Sequence, residues 1–313
     1  MLSKTAGGLF WMFRYLERCE NNARLLDAGF RIALTSSKSA TSEWKSVLST
    51  SASLEYYQTR YSSFESSSVT DFILRDPGNP SSVISNAKQA RDNARLVRTA
   101  LTREVWEATN EAWITLKALL DKPVPEQDLP EALSTIRKQS ALVRGATHGT
   151  MMRNDGFHFA RLGTFLERAD NTARILDVKY YLLLPSIAQI GSSLDNAQWD
   201  TILRSVSAQR AYCWQYGSNI HPQNIAEFLI NNVEMPRSLA FCYANLEGHL
   251  GGIARQYGVE KPSNELVRSI HGSVVDTGIE QIFDLGLHEF IGRFLNANRN
   301  LAAQIEDDYR ILR

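Results

Sequence analysis

The sequence predicts an all-α protein, a compact multi-helix bundle built from two duplicated halves, about residues 1–150 and 151–313, that face each other across a pseudo-twofold axis. Three observations carry this expectation. The stretch Phe10-Trp11-Met12-Phe13-Arg14-Tyr15-Leu16-Glu17-Arg18-Cys19-Glu20-Asn21-Asn22-Ala23-Arg24-Leu25-Leu26-Asp27 returns in close copy as Gly163-Thr164-Phe165-Leu166-Glu167-Arg168-Ala169-Asp170-Asn171-Thr172-Ala173-Arg174-Ile175-Leu176-Asp177. Further matches keep nearly the same separation: Glu43 to Leu48 with Gln198 to Leu203, Tyr57 and Tyr61 with Tyr212 and Tyr216, Asp71 to Leu74 with Glu227 to Ile230, and Pro80 to Val83 with Pro236 to Leu239. No alternating apolar and polar run long enough for a strand occurs, whereas apolar residues recur at helical spacing along most of the chain. Two copies are too few for a solenoid, so the chain reads as one domain over 1–313.

The first helix starts after Ser3 or Thr5, either of which can cap free amides, and runs to about Leu34, where the segment Thr35 to Ser42 breaks it. Within it Leu9, Met12, Leu16, Cys19, Ala23 and Leu26 form one stripe, and Arg14, Glu17, Asn21 and Arg24 form a second. The next element opens at Thr41 or Ser42, carries Trp44, Val47, Leu48, Ser51, Leu54, Tyr57 and Tyr61 in helical register, and ends in the serine-rich Ser62 to Ser68. A short helix, Val69 to Leu74, leads to Asp76-Pro77-Gly78-Asn79-Pro80, which ends one helix and starts another with Pro80 in its first turn. Val83 to Leu101 and Trp106 to Leu119 follow, with a kink near Thr102, and Pro123 and Pro125 mark a loop. A helix begins after Pro130, and the glycine-bounded segment Gly145 to Gly156 is expected to be a turn. The second long helix then runs from about Phe157 to Leu184 and stops at Pro185. Segments 264–285 and 286–313 are also helical in period, giving some ten helices in all.

A formal charge of zero gives no electrostatic case for nucleic acid or an anionic membrane as partner. Cys19 and Cys242 sit in apolar helical patterns, Cys213 lies beside Trp214, and no Cys-x-x-Cys occurs, which fits reduced thiols in a cytoplasmic protein. The first residues lack the apolar core of a signal peptide, and no apolar run is long enough for a transmembrane span.

A polar stripe at helical spacing is ordinarily a solvated face. Here Glu17, Arg18, Asn21, Arg24 and Asp27 recur as Glu167, Arg168, Asn171, Arg174 and Asp177, while neighbours such as Trp11 and Arg161, or Arg14 and Thr164, differ. Charge pairing on partly buried helices accounts for that pattern, with Glu17 expected to reach Asn21 and Arg24. Arg14, Glu17, Arg18, Asn21, Arg24, Glu167, Arg168, Asn171 and Arg174 therefore form the candidate Glu/Arg network, either structural or ligand-binding. Glu20, Asp170, His148 and Arg153 are secondary candidates, His148 because with His158 it brackets the segment before the second long helix.

Glu17 with Glu20, and Glu167 with Asp170, stand at i,i+3, a spacing suited to two metal ligands or to an acid and a base. Di-metal bundles add a Glu-x-x-His step, which is absent, and the surrounding arginines repel a cation, so neither metal nor cofactor is expected. The same arginines could instead receive a substrate carboxylate or phosphate. No Gly-x-Ser-x-Gly elbow or phosphate loop is present, and no catalytic residue is assigned.

The first-copy motif Trp11 to Arg24, Thr150-Met151-Met152-Arg153, the second copy Leu166 to Asp177 and Pro236-Arg237-Ser238 together resemble the bacterial alpha-E family over essentially the whole chain. That resemblance implies an all-helical protein encoded beside, or fused to, a circularly permuted ATP-grasp protein and a transglutaminase-like protease. It therefore implies a part in an ATP-dependent amide-forming or peptide-modifying system. Thr164 departs from the arginine the family commonly has there, and Cys19 from its usual alanine. The favoured expectation is a non-catalytic helical partner, or substrate-positioning component, of an ATP-grasp-type ligase. The alternative is a helical enzyme that binds an amino acid or peptide at the Glu/Arg stripe between the repeated helices. A metal-binding bundle ranks third.

Overall fold

The computed structural model describes residues 1–35, 40–182 and 193–311. Among these the chain is all-helical, with no strand. α1 (Ser3–Thr35) is followed by α2 (Ala40–Thr50), α3 (Leu54–Gln58), α4 (Ser66–Leu74) and α5 (Val83–Leu96). The register expected as one helix over Trp44 to Tyr61 breaks at Ser51 to Ser53. Ala52 there takes a left-handed conformation (φ 54°), and the Ser53 amide donates back to the Leu48 carbonyl at 3.0 Å, which closes α2. Ser82 rather than Pro80 starts α5, its hydroxyl accepting from the Ser85 amide at 3.3 Å.

The expected kink near Thr102 is a short 3-10 turn, Arg98–Ala100, after which the Thr102 hydroxyl caps α6 (Arg103–Leu119). α7 (Leu129–Thr150) runs through Gly145 and Gly149, so the expected turn shrinks to the four residues before α8 (Asp155–Leu182). Val143 and Thr147 are buried along α7, and each exposed helical glycine costs only about 1 kcal/mol, which that burial outweighs. The stop expected at Pro185 lies outside the described residues.

α9 (Ser193–Ser205) and α10 (Gln209–Tyr216) meet at a corner built like the first: Ser207 is left-handed (φ 58°), and the Ala208 amide donates to the Leu203 carbonyl at 2.7 Å. α11 (Pro222–Ile230) and α12 (Leu239–Tyr257) follow, the latter capped by the Ser238 hydroxyl accepting from the Phe241 amide at 3.0 Å. α13 (Pro262–Asp276), α14 (Ile279–Leu285) and α15 (Leu287–Asp308) complete the chain. These corners divide the described residues into fifteen α-helices rather than some ten.

α1 is the axis of the packing. Its expected stripe is buried, and so are Phe10, Phe13 and Leu25 on its other sides, because α8, α5, α7 and α9 surround it. α12 and α15 cover the far side of α8, while α6 closes over α5 and α7. No helix among the described residues is long and apolar enough to cross a membrane. Trp44 and Trp199 are core residues, and Trp106 and Trp113 are partly buried.

α1 and α8 touch closely at Gly163, where an added Cβ would stand 2.2 Å from the Phe10 carbonyl oxygen. A backbone atom cannot swing aside as a side chain can. Gly163→Ala should therefore destabilise the fold by about 1–3 kcal/mol or more in urea unfolding. Gly145→Ala meets nothing within 4 Å and should stabilise by about 0.5–1 kcal/mol. Equal effects of the two substitutions would contradict this packing.

Candidate functional site

The side-by-side helices α1 and α8 set their Glu-Arg pairs against each other. Arg168 donates to Glu17 through Nε (2.9 Å) and Nη2 (3.1 Å), and Arg18 donates to Glu167 through Nε (3.1 Å) and Nη2 (2.5 Å). The pairing is reciprocal, each helix supplying one acid and one base. Glu167 also accepts from Arg14 Nε at 2.8 Å. The corresponding position on α8 is Thr164, whose buried hydroxyl donates only to its own helix, at Ala160 O. Glu17 is served instead from elsewhere in the chain, by Arg144 of α7 and by Arg237 in the turn before α12, each with Nη1 at 3.3 Å.

Glu17 does not take the partners expected of it on its own helix. One helical turn brings Arg24 to Glu20 (2.7 and 3.0 Å), and Asn21 Nδ2 donates across to the Glu167 backbone carbonyl at 3.1 Å. Glu20 also accepts from Arg144 at 2.8 Å and from Arg237 at 2.5 Å. Arg24 continues to the α9–α10 corner, donating to Ser205 O and Ser207 Oγ, both at 2.9 Å. Arg174 makes the matching reach, bonded to Asp170 at 2.6 Å and donating to Thr50 O, at the end of α2, at 3.4 Å. Arg144 and Arg237 are the members the sequence reading did not place in the network. The Pro236-Arg237-Ser238 motif was a signal for the second, whereas Arg144 lies in no repeat.

Burial alone would raise the Glu17 carboxyl, but the charges of Arg168, Arg237 and Arg144 outweigh it and hold the group far below the usual range. The same balance, with Arg18 and Arg14 as the cations, brings Glu167 down to about 2. Glu20 is also lowered, against burial and against Glu17, by Arg237, Arg144 and Arg24. Arg237 is lowered as well, to about 10, through burial and the nearby charge of Arg24, both of which disfavour its charged form. Buried Cys19 and Cys242 thiols are raised to about 12 by loss of solvent.

Between α1 and α8 opens a polar pocket of about 450 Å³. Seven of the candidate residues line it: Arg14, Arg18, Asn21, Glu167, Asp170, Asn171 and Arg174. α15 contributes Glu306 and Asn298, and the α2–α3 corner contributes Thr50 and Ser51. Three buried lining atoms, Asn21 Oδ1, Asn171 Nδ2 and Thr50 Oγ1, have no hydrogen-bond partner among the described residues. Asn21 cannot be turned round to relieve this without losing the bond its Nδ2 makes to Glu167 O.

His148 and Arg153 lie apart from this pocket. Arg153 donates to Met151 O and His148 O, both at 2.7 Å, and covers the Phe157 ring at 4.1 Å. His148, at the exposed end of α7, is pushed down to about 4 by desolvation on its packed side and by Arg161 and Arg153. His249, partly buried beside His158 (Nδ1 to Nδ1, 3.0 Å), falls to about 3 by desolvation and the charge of Arg161. Among the described residues no three His, Cys or carboxylate side chains converge as a metal-binding group.

These shifts set a pH profile. Neutral, partly buried His249 contributes stability that is full above its ordinary 6.5 and is lost as pH falls toward about 3. Ionised Glu167 contributes stability that is full above its ordinary 4.5 and is lost as pH falls toward about 2. Urea midpoints should thus fall from pH 6.5 downward, more steeply below 4.5, with His249→Gln flattening the upper part and Glu167→Gln the lower. At neutral pH Glu167→Gln should cost about 3–5 kcal/mol, because Arg14 and Arg18 lose their counter-ion. A midpoint unchanged from pH 7 to 3 would contradict the assignment.

No curated protein and no solved structure matches this chain. The family model Alpha-E, described as a predicted alpha-helical domain with a conserved ER motif, matches residues 1–309. The dipeptide Glu-Arg occurs in the sequence at 17–18 and at 167–168, the two pairs that cross between α1 and α8. The chain belongs to the Alpha-E family.

Proposed function

We propose that this protein is a non-catalytic, cytoplasmic partner of an ATP-grasp-type ligase in an amide-forming or peptide-modifying system, and that it holds the peptide-like substrate in the pocket between α1 and α8. The observation that carries this reading is the set of unmatched buried atoms in the pocket. Asn171 Nδ2 is a free donor and Asn21 Oδ1 a free acceptor, the complement of one amide group, which offers a carbonyl to the first and an N–H to the second. Arg174 and Asp170, on the same wall, are suited to the carboxylate and amine of such a ligand.

The electrostatics favour holding over chemistry. A carboxyl lowered to about 2 stays ionised and is a poor proton carrier at neutral pH, and the described lining contains no histidine, cysteine or lysine. An enzyme reading would use the same pocket, where Glu167 is held ionised. Bond making is accordingly assigned to the ligase, with a transglutaminase-like protein as a further partner.

We also infer that the halves 1–150 and 151–313 are copies related by a pseudo-twofold axis within one domain. Support comes from the crossed Glu-Arg pairs, the left-handed corners at Ala52 and Ser207, and the serine caps at Ser82 and Ser238. The stacked pairs Tyr57–Tyr61 and Tyr212–Tyr216 add to it, with Tyr57 and Tyr212 hydroxyls donating to Ser63 O and Asn219 O.

Tagged protein drawn from its host should bring an ATP-grasp ligase with it. In the reconstituted pair, Asn171→Ala should raise KM for the peptide substrate about tenfold, leave kcat nearly unchanged and leave the complex intact. A ligase that neither co-purifies nor changes rate when this protein is added would overturn the proposal.

A further inference from the structure

A second concavity lies across α1 from the pocket, and its chemistry differs. The groove encloses about 650 Å³ between α1, α7 and the α9–α10 corner. Its cations are Arg31, Arg137, Lys138, Arg204 and Arg210, together with Arg24 and Arg144 at its floor, the two bonded to buried Glu20. Against these seven stand two lining carboxylates, and both are already engaged. Glu20 accepts from Arg24, Arg144 and Arg237, and Asp27 accepts from Arg31 and Arg137, each at 3.1 Å. Arg204 has Asp200 beside it at 2.5 Å, whereas among the described residues no carboxylate lies within ion-pair distance of Lys138 or Arg210. Such local excess in a chain of zero net charge concentrates positive potential in one recess.

The lining also limits the ligand. Among the described residues Ala141 is its one apolar lining residue and no aromatic ring lines it, so that lining gives a nucleotide base nothing to stack on and a membrane nothing apolar to meet. Ser134, Ser207 and Gln209 add neutral hydrogen-bonding groups around the guanidinium forks. The floor arginines are held rigidly, Arg24 by four hydrogen bonds and Arg144 by two carboxylates, so they are oriented before any ligand arrives.

We propose that this groove binds an oligoanion, a small ligand carrying several closely spaced phosphoryl or carboxylate groups. The site is independent of the peptide pocket. Phosphoryl and carboxylate oxygens present the same chemistry to guanidinium forks, and the source is separated by using both probes.

The full chain is titrated calorimetrically at low salt with inorganic tripolyphosphate and, separately, with triglutamate. One saturable site for at least one probe is expected, weakening as salt is raised. Lys138→Ala with Arg210→Ala should weaken it about tenfold or more. Both side chains are exposed, so circular dichroism should be unchanged. Arg103→Ala with Arg268→Ala, two exposed arginines outside the groove, should leave binding as it was. Tighter tripolyphosphate binding identifies a phosphoryl ligand, and tighter triglutamate binding an acidic peptide or polycarboxylate. Absence of saturable binding for both probes, or binding that ignores the Lys138/Arg210 double substitution, would overturn the proposal.

Discussion

The crossed ion pairs between α1 and α8 are the constraint on which the rest of the structure depends. α1 is buried on nearly every side, so its Glu17 and Glu20 cannot be left to water. A buried carboxylate must be met by fixed counter-charges or be protonated, and here four guanidinium groups from three other parts of the chain and from α1 itself meet two carboxylates. The register of the two long helices follows. Sliding one past the other by a turn would separate Glu17 from Arg168 and Glu167 from Arg18 together.

The same network divides the molecule into two polar faces. On one side of α1 the Glu167 group, Asp170 and the asparagines line a pocket of mixed charge. On the other, Arg24 and Arg144 form the floor of a groove with a large excess of positive charge. Arg24 and Arg174 tie these faces to the α9–α10 and α2–α3 corners, where Ser207 and Ala52 adopt left-handed backbone that costs an ordinary residue about 1–2 kcal/mol. That conformation aims carbonyl and hydroxyl oxygens at the arginines. On the two proposals above, the mixed-charge pocket takes a zwitterionic, amide-bearing ligand and the basic groove an oligoanion.

The helical class and the repeated Glu-Arg helix were legible because each rests on local pattern: apolar residues at helical spacing, and a motif printed twice. Residues of that motif do converge, since a motif on two helices that pack side by side must meet itself. Pairing within it was not legible. Glu17 looked toward Asn21 and Arg24 along its own helix, yet its partners come from α8, α7 and the turn before α12, and only packing decides that. Gly145 and Gly149 read as turn signals, but burial of α7 through Val143 and Thr147 overrides their weak helical propensity. Ala52 and Ser207 gave no signal of a corner, because neither residue type favours left-handed backbone. The basic groove was hidden for a related reason: its cations come from three separated segments of a chain whose total charge is zero.

The most direct test of the crossed pairing is a double-mutant cycle on Glu17 and Arg168, using Glu17→Gln, Arg168→Met and the double variant in urea unfolding at neutral pH. Glu17→Gln leaves Arg168 without its carboxylate, Arg168→Met leaves Glu17 only the longer contacts to Arg144 and Arg237, and the pair should show a coupling of about 2 kcal/mol or more. Additive effects within about 0.5 kcal/mol would mean that the two side chains do not depend on each other, and would contradict the account of how α1 and α8 are held.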